Sequence, residues 1–304
     1  MHQAYEMCQL CPRGCKVNRE NGQIGVCKVS SNLKVARAAL HYWEETCISG
    51  TKGSGTVFFS GCSMHCVFCQ NQEIAQGVSG KEIRKERLAE IFLELQDKGA
   101  NNINLVTPGH YVPHIVWAVE QARRDGLKLP IVYNTSSYEK VDSLKQLEGI
   151  VDVYLPDFKY WNPEVAKKYS NAYDYPEVAK NAIAEMVRQQ PNVAFVYDKE
   201  QDLDIIQKGV IVRQLLLPGQ LSDAKQIVKY LYETYGDTIF LSLMSQYTPL
   251  AHVRDFPELN QKVDRRDYDD YVDYAISLGV ENGYIQEDDV AEESFIPSFD
   301  GEGV

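Results

Sequence analysis

Positive charge is scarce in this sequence: 31 lysines and arginines face 43 aspartates and glutamates, a formal net charge of -12. That deficit opposes general attraction to phosphate backbones or anionic bilayers, so nucleic acid and membrane surfaces are unfavoured partners. Long apolar runs are missing too, and no stretch reaches the roughly 20 residues a spanning helix needs. The first residues, Met1 to Cys15, lack the charged and then apolar run of a secretion signal, so a cytoplasmic location is the expectation. Neither a short repeat nor a low-complexity tract breaks the chain. What is present is ordinary for a globular protein: 44% hydrophobic and 24% charged residues over 304 positions, enough for a large core in one main domain plus an appendage. Cysteine is sparse at eight residues. Seven of them fall into two tight clusters, which in a reducing compartment reads as metal ligands or reactive groups rather than disulfides.

From about residue 55 apolar runs alternate with helical patterns, the sign of βα units around a parallel sheet. Six candidate strands are Thr56 to Ser60, Ile103 to Thr107, Ile131 to Asn134, Val151 to Pro156, Val210 to Leu217 and Ile239 to Leu243. Between them, stripes such as Leu88, Ile91, Phe92 and Leu95, or Ala224, Ile227, Val228 and Leu231, mark amphipathic helices. Ser79-x-x-Glu82 has the form of a capping box for the first of these helices. Pro191 to Gly209 is expected to pair as a hairpin beside the fifth strand. Six such units predict an α/β fold, a partial (β/α)6 barrel, with functional side chains just after each strand. The expected division is a cysteine-rich lobe and lead-in at 1–50, the barrel at 51–285 and a tail at 286–304. Within the tail, acidic residues from Glu287 to Glu293 precede an apolar anchor, Phe295-Ile296-Pro297.

The segment Gly61-Cys62-Ser63-Met64-His65-Cys66-Val67-Phe68-Cys69 opens at the end of the first candidate strand and spaces its thiols C-x3-C-x2-C. Soft thiolates on one short loop suit a compact iron-sulfur cubane. Three cysteines leave one iron of a four-iron cluster free to bind a substrate. Zinc is the other metal to weigh, but a closed zinc site normally pairs two CxxC units, and none follows here.

With an aromatic residue directly before its third cysteine, this loop resembles the signature of radical SAM enzymes. The resemblance implies a [4Fe-4S] cluster on Cys62, Cys66 and Cys69 and S-adenosylmethionine chelated to the open iron, with Phe68 near the adenine. It extends along the chain to homologues of pyruvate formate-lyase activating enzyme. By that resemblance Thr107 or His110, in Thr107-Pro108-Gly109-His110, receives the methionyl amino group, where relatives have Gly-Gly-Glu. Asn134, with Thr135 and Ser136, stands near the ribose, while Asp157 and Lys159 match the Asp-x-Lys pair used on the cofactor. Arg213 interrupts an apolar strand, where an unpaired cation is costly, so a carboxylate must face it. The resemblance offers the carboxylate of S-adenosylmethionine; an internal Asp or Glu would serve as well. Gln246 is a further candidate for the cavity lining, or a turn anchor.

Cys8, Cys11, Cys15 and Cys27 form a second set, with Pro12, Gly14, Gly22 and Gly25 allowing tight turns, and either zinc or a second iron-sulfur cluster fits it. Cys47 stands alone and reads as a small apolar residue. His41, Glu44 and Glu45 either approach the site or lie at the surface. The resemblance implies an oxidoreductase that makes a 5'-deoxyadenosyl radical, in the manner of an activating enzyme. It further implies a glycyl radical enzyme or similar polypeptide as substrate, and a flavodoxin- or ferredoxin-type protein as electron donor. Radical modification of another protein or of a small metabolite is a second outcome. A non-catalytic electron carrier is the reading from another class, since an acidic surface docks basic redox partners.

Overall fold

The computed structural model describes residues 3–286 and 297–304. The expected acidic stretch and most of the apolar anchor at 287–296 lie outside the described residues. Ten strands form one sheet: β1 (Leu33–His41), β2 (Ser54–Phe59), β3 (Lys81–Ile83), β4 (Ile103–Val106), β5 (Ile131–Thr135), β6 (Val153–Pro156), β7 (Ala194–Asp198), β8 (Leu203–Leu215), β9 (Phe240–Met244) and β10 (Gly283–Ile285). Their order is β10-β9-β8-β6-β5-β4-β2-β1-β3, with β7 paired only to β8. From β2 through β10 the neighbours in this order run parallel, and β3 and β10 are its two ends. The result is an unclosed α/β barrel.

The six expected strands correspond to β2, β4, β5, β6, β8 and β9. β2, β4, β5 and β6 are buried on both faces, as parallel strands covered by helices must be, and so is the second half of β8, whereas its first half carries exposed Asp204 and Lys208. Leu88, Ile91, Phe92 and Leu95 are buried on the helix Lys85–Asp97, and Ala224, Ile227, Val228 and Leu231 on the helix Leu221–Tyr235. Both stripes pack into the main core.

Three features depart from the sequence reading. The fifth strand starts at Leu203, and its first half is itself the antiparallel partner of β7, so hairpin and barrel strand are one continuous element. Ser79 and Glu82 make no capping box: Lys81–Ile83 pairs with β1, and the helix begins after Arg84 without a side-chain cap. Glu82 accepts a bond from Asn32, and Ser79 Oγ donates to Glu73. The lead-in segment supplies β1, antiparallel to β2, and residues of the 297–304 tail cover it through Ala38 N to Glu302 O at 2.8 Å and Gly301 N to Ala36 O at 3.0 Å. An exposed edge is thereby shielded.

Candidate active site

The loop after β2 begins at Gly61, whose φ of +92° is open to glycine but strained for other residues. A Cβ there would also lie 2.6 Å from the carbonyl oxygen of Cys27, so the loop and the N-terminal lobe touch backbone to backbone. Beyond it, the Met64 amide donates to Cys62 Sγ at 3.4 Å, the Cys69 amide to Cys66 O at 3.1 Å, and the Val67 amide to Tyr169 O at 2.9 Å. Cys62, Cys66 and Cys69 are all free thiols and line one cavity of about 240 Å³ at the C-terminal strand ends. Burial pushes the Cys69 thiol up to about 12, with the charges of Cys66 and Cys62 adding to it. Deprotonation there calls for a strong local cation such as ligating iron. Among the described residues no three His, Cys, Asp or Glu side chains are placed to hold one metal ion. A cubane asks for something different, one thiolate at each of three separate iron corners, and three soft donors on one loop suit that.

Opposite the thiols lies a network of buried charges. Lys159 Nζ pairs with Asp157 Oδ2 at 2.7 Å. Burial pushes the Asp157 carboxyl up, but the charges of Arg213 and Lys159 more than offset it and hold it below the ordinary value. Burial pushes Lys159 down, and the charges of Asp157 and then Cys66 raise it above the usual lysine value. Both side chains stay ionised, and they line the cavity.

Arg213 lines the same cavity. Its carboxylate partners are internal: Nε meets Asp157 Oδ1 at 2.8 Å, Nη1 meets Glu44 Oε2 at 2.9 Å, and Nη2 donates to Asn134 Oδ1 at 2.6 Å. A guanidinium held on three sides needs no cofactor carboxylate to offset its burial. Asn134 is likewise engaged, since its Nδ2 donates to Glu44 Oε1 at 3.1 Å, so both residues shape the cavity wall through Glu44. The same carboxylate accepts from Asn104 at 3.2 Å. Sequence reasoning noted Glu44 without assigning it this pivotal place. Glu45, beside it, has its carboxyl raised by burial, against the pull of Arg213.

Thr107 lines the cavity with a φ of +57°, an uncommon conformation for a β-branched residue that is worth a functional reading. His110 does not reach this cavity. Its Nε2 lies 2.8 Å from Ser60 O, and burial, then the charge of Arg19, lowers it to about 3, so it is a neutral strut behind the thiol loop. Phe68 stands in the cavity with its ring edge-on to Tyr160 and Tyr247. Gln246, Ser136, Thr135 and His41 also line it.

One residue escaped the sequence reading altogether. Glu139 is buried and accepts from Thr135 Oγ1 at 2.7 Å and Tyr133 OH at 3.3 Å, and burial raises its carboxyl to about 7. It shares a smaller cavity with Thr107, Gly109, Cys62 and Cys11. No motif announces it, because its role comes from the turn after β5 folding back over Gly109.

Cys8, Cys11, Cys15 and Cys27 are free thiols in the lobe pressed against this loop. The charges of Cys27 and Cys15 are felt at Cys11, and those of Cys8 and Cys15 at Cys27. Cys47 is buried in an apolar cluster with Ile48, Val132 and Leu155, and burial raises it to about 12, in keeping with a packing role.

Among known proteins, the chain is 28% identical over 266 residues to the uncharacterized protein MJ0674 of Methanocaldococcus jannaschii, a match covering 85% of this chain and 71% of that one. Its fold is similar to that of HydG, a maturase of the [FeFe]-hydrogenase, with a TM-score of 0.50 at 14% identity over 80% of this chain and 53% of that one. Streptococcus suis SuiB bound to precursor peptide SuiA aligns with a TM-score of 0.48 at 14% identity, over 74% of this chain and 46% of that one. The chain thus spans about half the length of these two solved structures. Among the described residues no helix is long and apolar enough to cross a membrane. Residues 56–198, from β2 through β7 and including the thiol loop, match the family model of the radical SAM superfamily.

Proposed function

We propose that the chain is a radical SAM enzyme that binds a four-iron cluster on Cys62, Cys66 and Cys69, cleaves S-adenosylmethionine reductively, and acts on a polypeptide in the manner of a glycyl radical activating enzyme. The observation that carries this reading is the convergence in one cavity of three free thiols, Phe68, Thr107 and the ionised Asp157–Lys159 pair, all at the C-terminal ends of parallel strands. When bound, the cluster and S-adenosylmethionine supply one electron and a 5'-deoxyadenosyl radical able to abstract hydrogen.

The protein's own part is positioning and exclusion of water. Lys159 offers a charged donor on the cavity wall, and Asp157 keeps it oriented while being held in turn by Arg213. The Glu44, Asn134 and Arg213 contacts fix three strand ends relative to one another. Phe68 presents an aromatic edge to the cavity for a purine. An unclosed barrel leaves a side through which a loop of a partner protein can enter, which supports a polypeptide substrate over a small metabolite. A flavodoxin- or ferredoxin-type protein is the proposed electron donor.

The test is anaerobic. Reconstituted, reduced protein given S-adenosylmethionine is expected to release 5'-deoxyadenosine and methionine. No 5'-deoxyadenosine from protein showing a four-iron spectrum would favour the electron-carrier reading. With a partner glycyl radical enzyme deuterated at its glycine α-carbon, deuterium should enter 5'-deoxyadenosine. Consumption of a metabolite from a protein-free extract would overturn the polypeptide part alone.

A further inference from the structure

Arg19 is fully buried, with 0% of its surface exposed. Its Nη1 donates to His110 O at 2.8 Å and its Nη2 to Ser30 O at 2.7 Å, while the guanidinium stacks over Tyr5 and Tyr111 at 4.9 and 5.5 Å from the ring centres. Nε has no partner. No carboxylate is among these contacts. Carbonyl oxygens and ring faces carry partial charge at most, so among the described residues none of these contacts gives the buried cation a full negative charge. Arg213, by contrast, has two carboxylates against it.

Sulfur is what Arg19 does face. Its Nη1 points at Cys8 Sγ from 3.7 Å, and Cys27 lies close enough for its charge to be felt at the guanidinium. Neutral thiols would not answer a cation. Four thiolates around a zinc ion, or around an oxidised four-iron cubane, carry a net charge of about -2 and would. A second sign of sulfur prepared for negative charge is the Val26 amide, which donates to Cys15 Sγ at 3.4 Å.

We infer that Cys8, Cys11, Cys15 and Cys27, no three of which are placed to hold a single metal ion, hold a second iron-sulfur cluster with one thiolate at each iron corner, separate from the one on the barrel loop, with Arg19 as its buried counter-cation. The centre braces the barrel loop from behind. Arg13, between Cys11 and Cys15, donates to Ser63 O and Ser170 O, both at 2.9 Å, and His65 meets Val26 O at 2.6 Å. Cys11 shares the smaller cavity with Cys62. The inference does not depend on radical chemistry, and its test removes that chemistry.

The full chain carrying Cys62→Ala, Cys66→Ala and Cys69→Ala is isolated anaerobically from cells supplied with iron and zinc, and metal and acid-labile sulfide are measured. About four irons with four sulfides per chain identify a cubane and support the centre, provided that further replacing Cys8, Cys11, Cys15 and Cys27 by Ala removes them. About one zinc per chain in place of iron and sulfide would overturn the cluster. A metal-free folded chain whose four lobe thiols all react with maleimide would overturn it, as would metal retained after those replacements. For Arg19, transfer of the metal to a chelator is timed in the same background. Arg19→Met should lose metal about tenfold faster, the equivalent of one 1.4 kcal/mol step, and Arg19→Lys should fall between it and the parent. An Arg19→Met chain that keeps the parental rate would overturn the counter-cation role.

Discussion

Two cysteine sets face each other across Gly61, and they are built on opposite physical terms. The barrel set sits on a strand end inside the largest core, where parallel strands and helices fix the loop whatever it binds. Around it the buried charges are already matched: Arg213 with Asp157 and Glu44, Lys159 with Asp157. The lobe set lies in a segment whose own apolar cluster amounts to Tyr5, Cys8 and Leu10, with a buried cation that finds no carboxylate. A region that is electrostatically complete can keep its shape while exchanging a ligand. An incomplete one is expected to gain stability from a bound metal.

The sharpest way to break this contrast is to remove the barrel thiols. Replacing Cys62, Cys66 and Cys69 together by Ala should abolish 5'-deoxyadenosine formation and remove about four irons per chain relative to the parent, yet leave the helical content of the barrel unchanged by circular dichroism. Loss of helical content would mean that the barrel, too, depends on its metal.

The next effect compares the two arginines. Arg213→Met leaves Glu44 without its cation and Asp157 with Lys159 alone, and removing one partner of such a network costs about 3–5 kcal/mol. That loss should appear in denaturant unfolding whether or not a chelator is present. Arg19→Met leaves no carboxylate behind, so it should destabilise the metal-loaded protein alone and be neutral or better after chelation. Equal losses for Arg19→Met in both conditions would show that Arg19 is held by packing and carbonyls. Lys159→Met belongs to a milder class, with S-adenosylmethionine binding weakened about tenfold at intact iron content, because a charge-assisted contact is worth roughly 1.5–3 kcal/mol. Unchanged binding would reduce Lys159 to a partner of Asp157.

The contrast also marks what the sequence disclosed. The six barrel strands are β-branched and apolar enough to be read directly, and the thiol loop is local, so both were legible. β1 was not, because Ala36, Ala38 and Ala39 give it little strand propensity, and it becomes a strand by pairing with β2 and being covered by the chain's last residues. Ser79 and Glu82 fit a helix-start pattern but were claimed by a strand, an instance of tertiary pairing overriding a local signal. The partners of Arg213 were half legible. A carboxylate was required, but Glu44 and Arg213 are 169 residues apart, and nothing in their spacing says they meet. Glu139 and Arg19 carry no motif at all, and their importance rests on burial alone.

The smallest effect tests the strut between the two regions. His110 accepts the Arg19 guanidinium on its carbonyl and sets its ring against Ser60 O, two residues before Cys62. Burial lowers its basicity from the ordinary value of 6.5 to about 3, so between those pH values the unfolded chain binds a proton that the folded chain refuses. The unfolded state then holds more protons, and stability must rise with pH across that window and be lost as pH falls through it. The contribution approaches one proton, or about 1.4 kcal/mol per pH unit in the middle of the window. His110→Gln keeps an amide donor for Ser60 O but has nothing to protonate, so its unfolding free energy should fall less steeply than the parent's between pH 6 and pH 4. The parent must be compared with the variant in one buffer series, since other buried groups titrate nearby and cancel in the difference. Parallel slopes for the two proteins would mean that His110 is charged in the fold, with solvent reaching the wall between the lobe and the thiol loop.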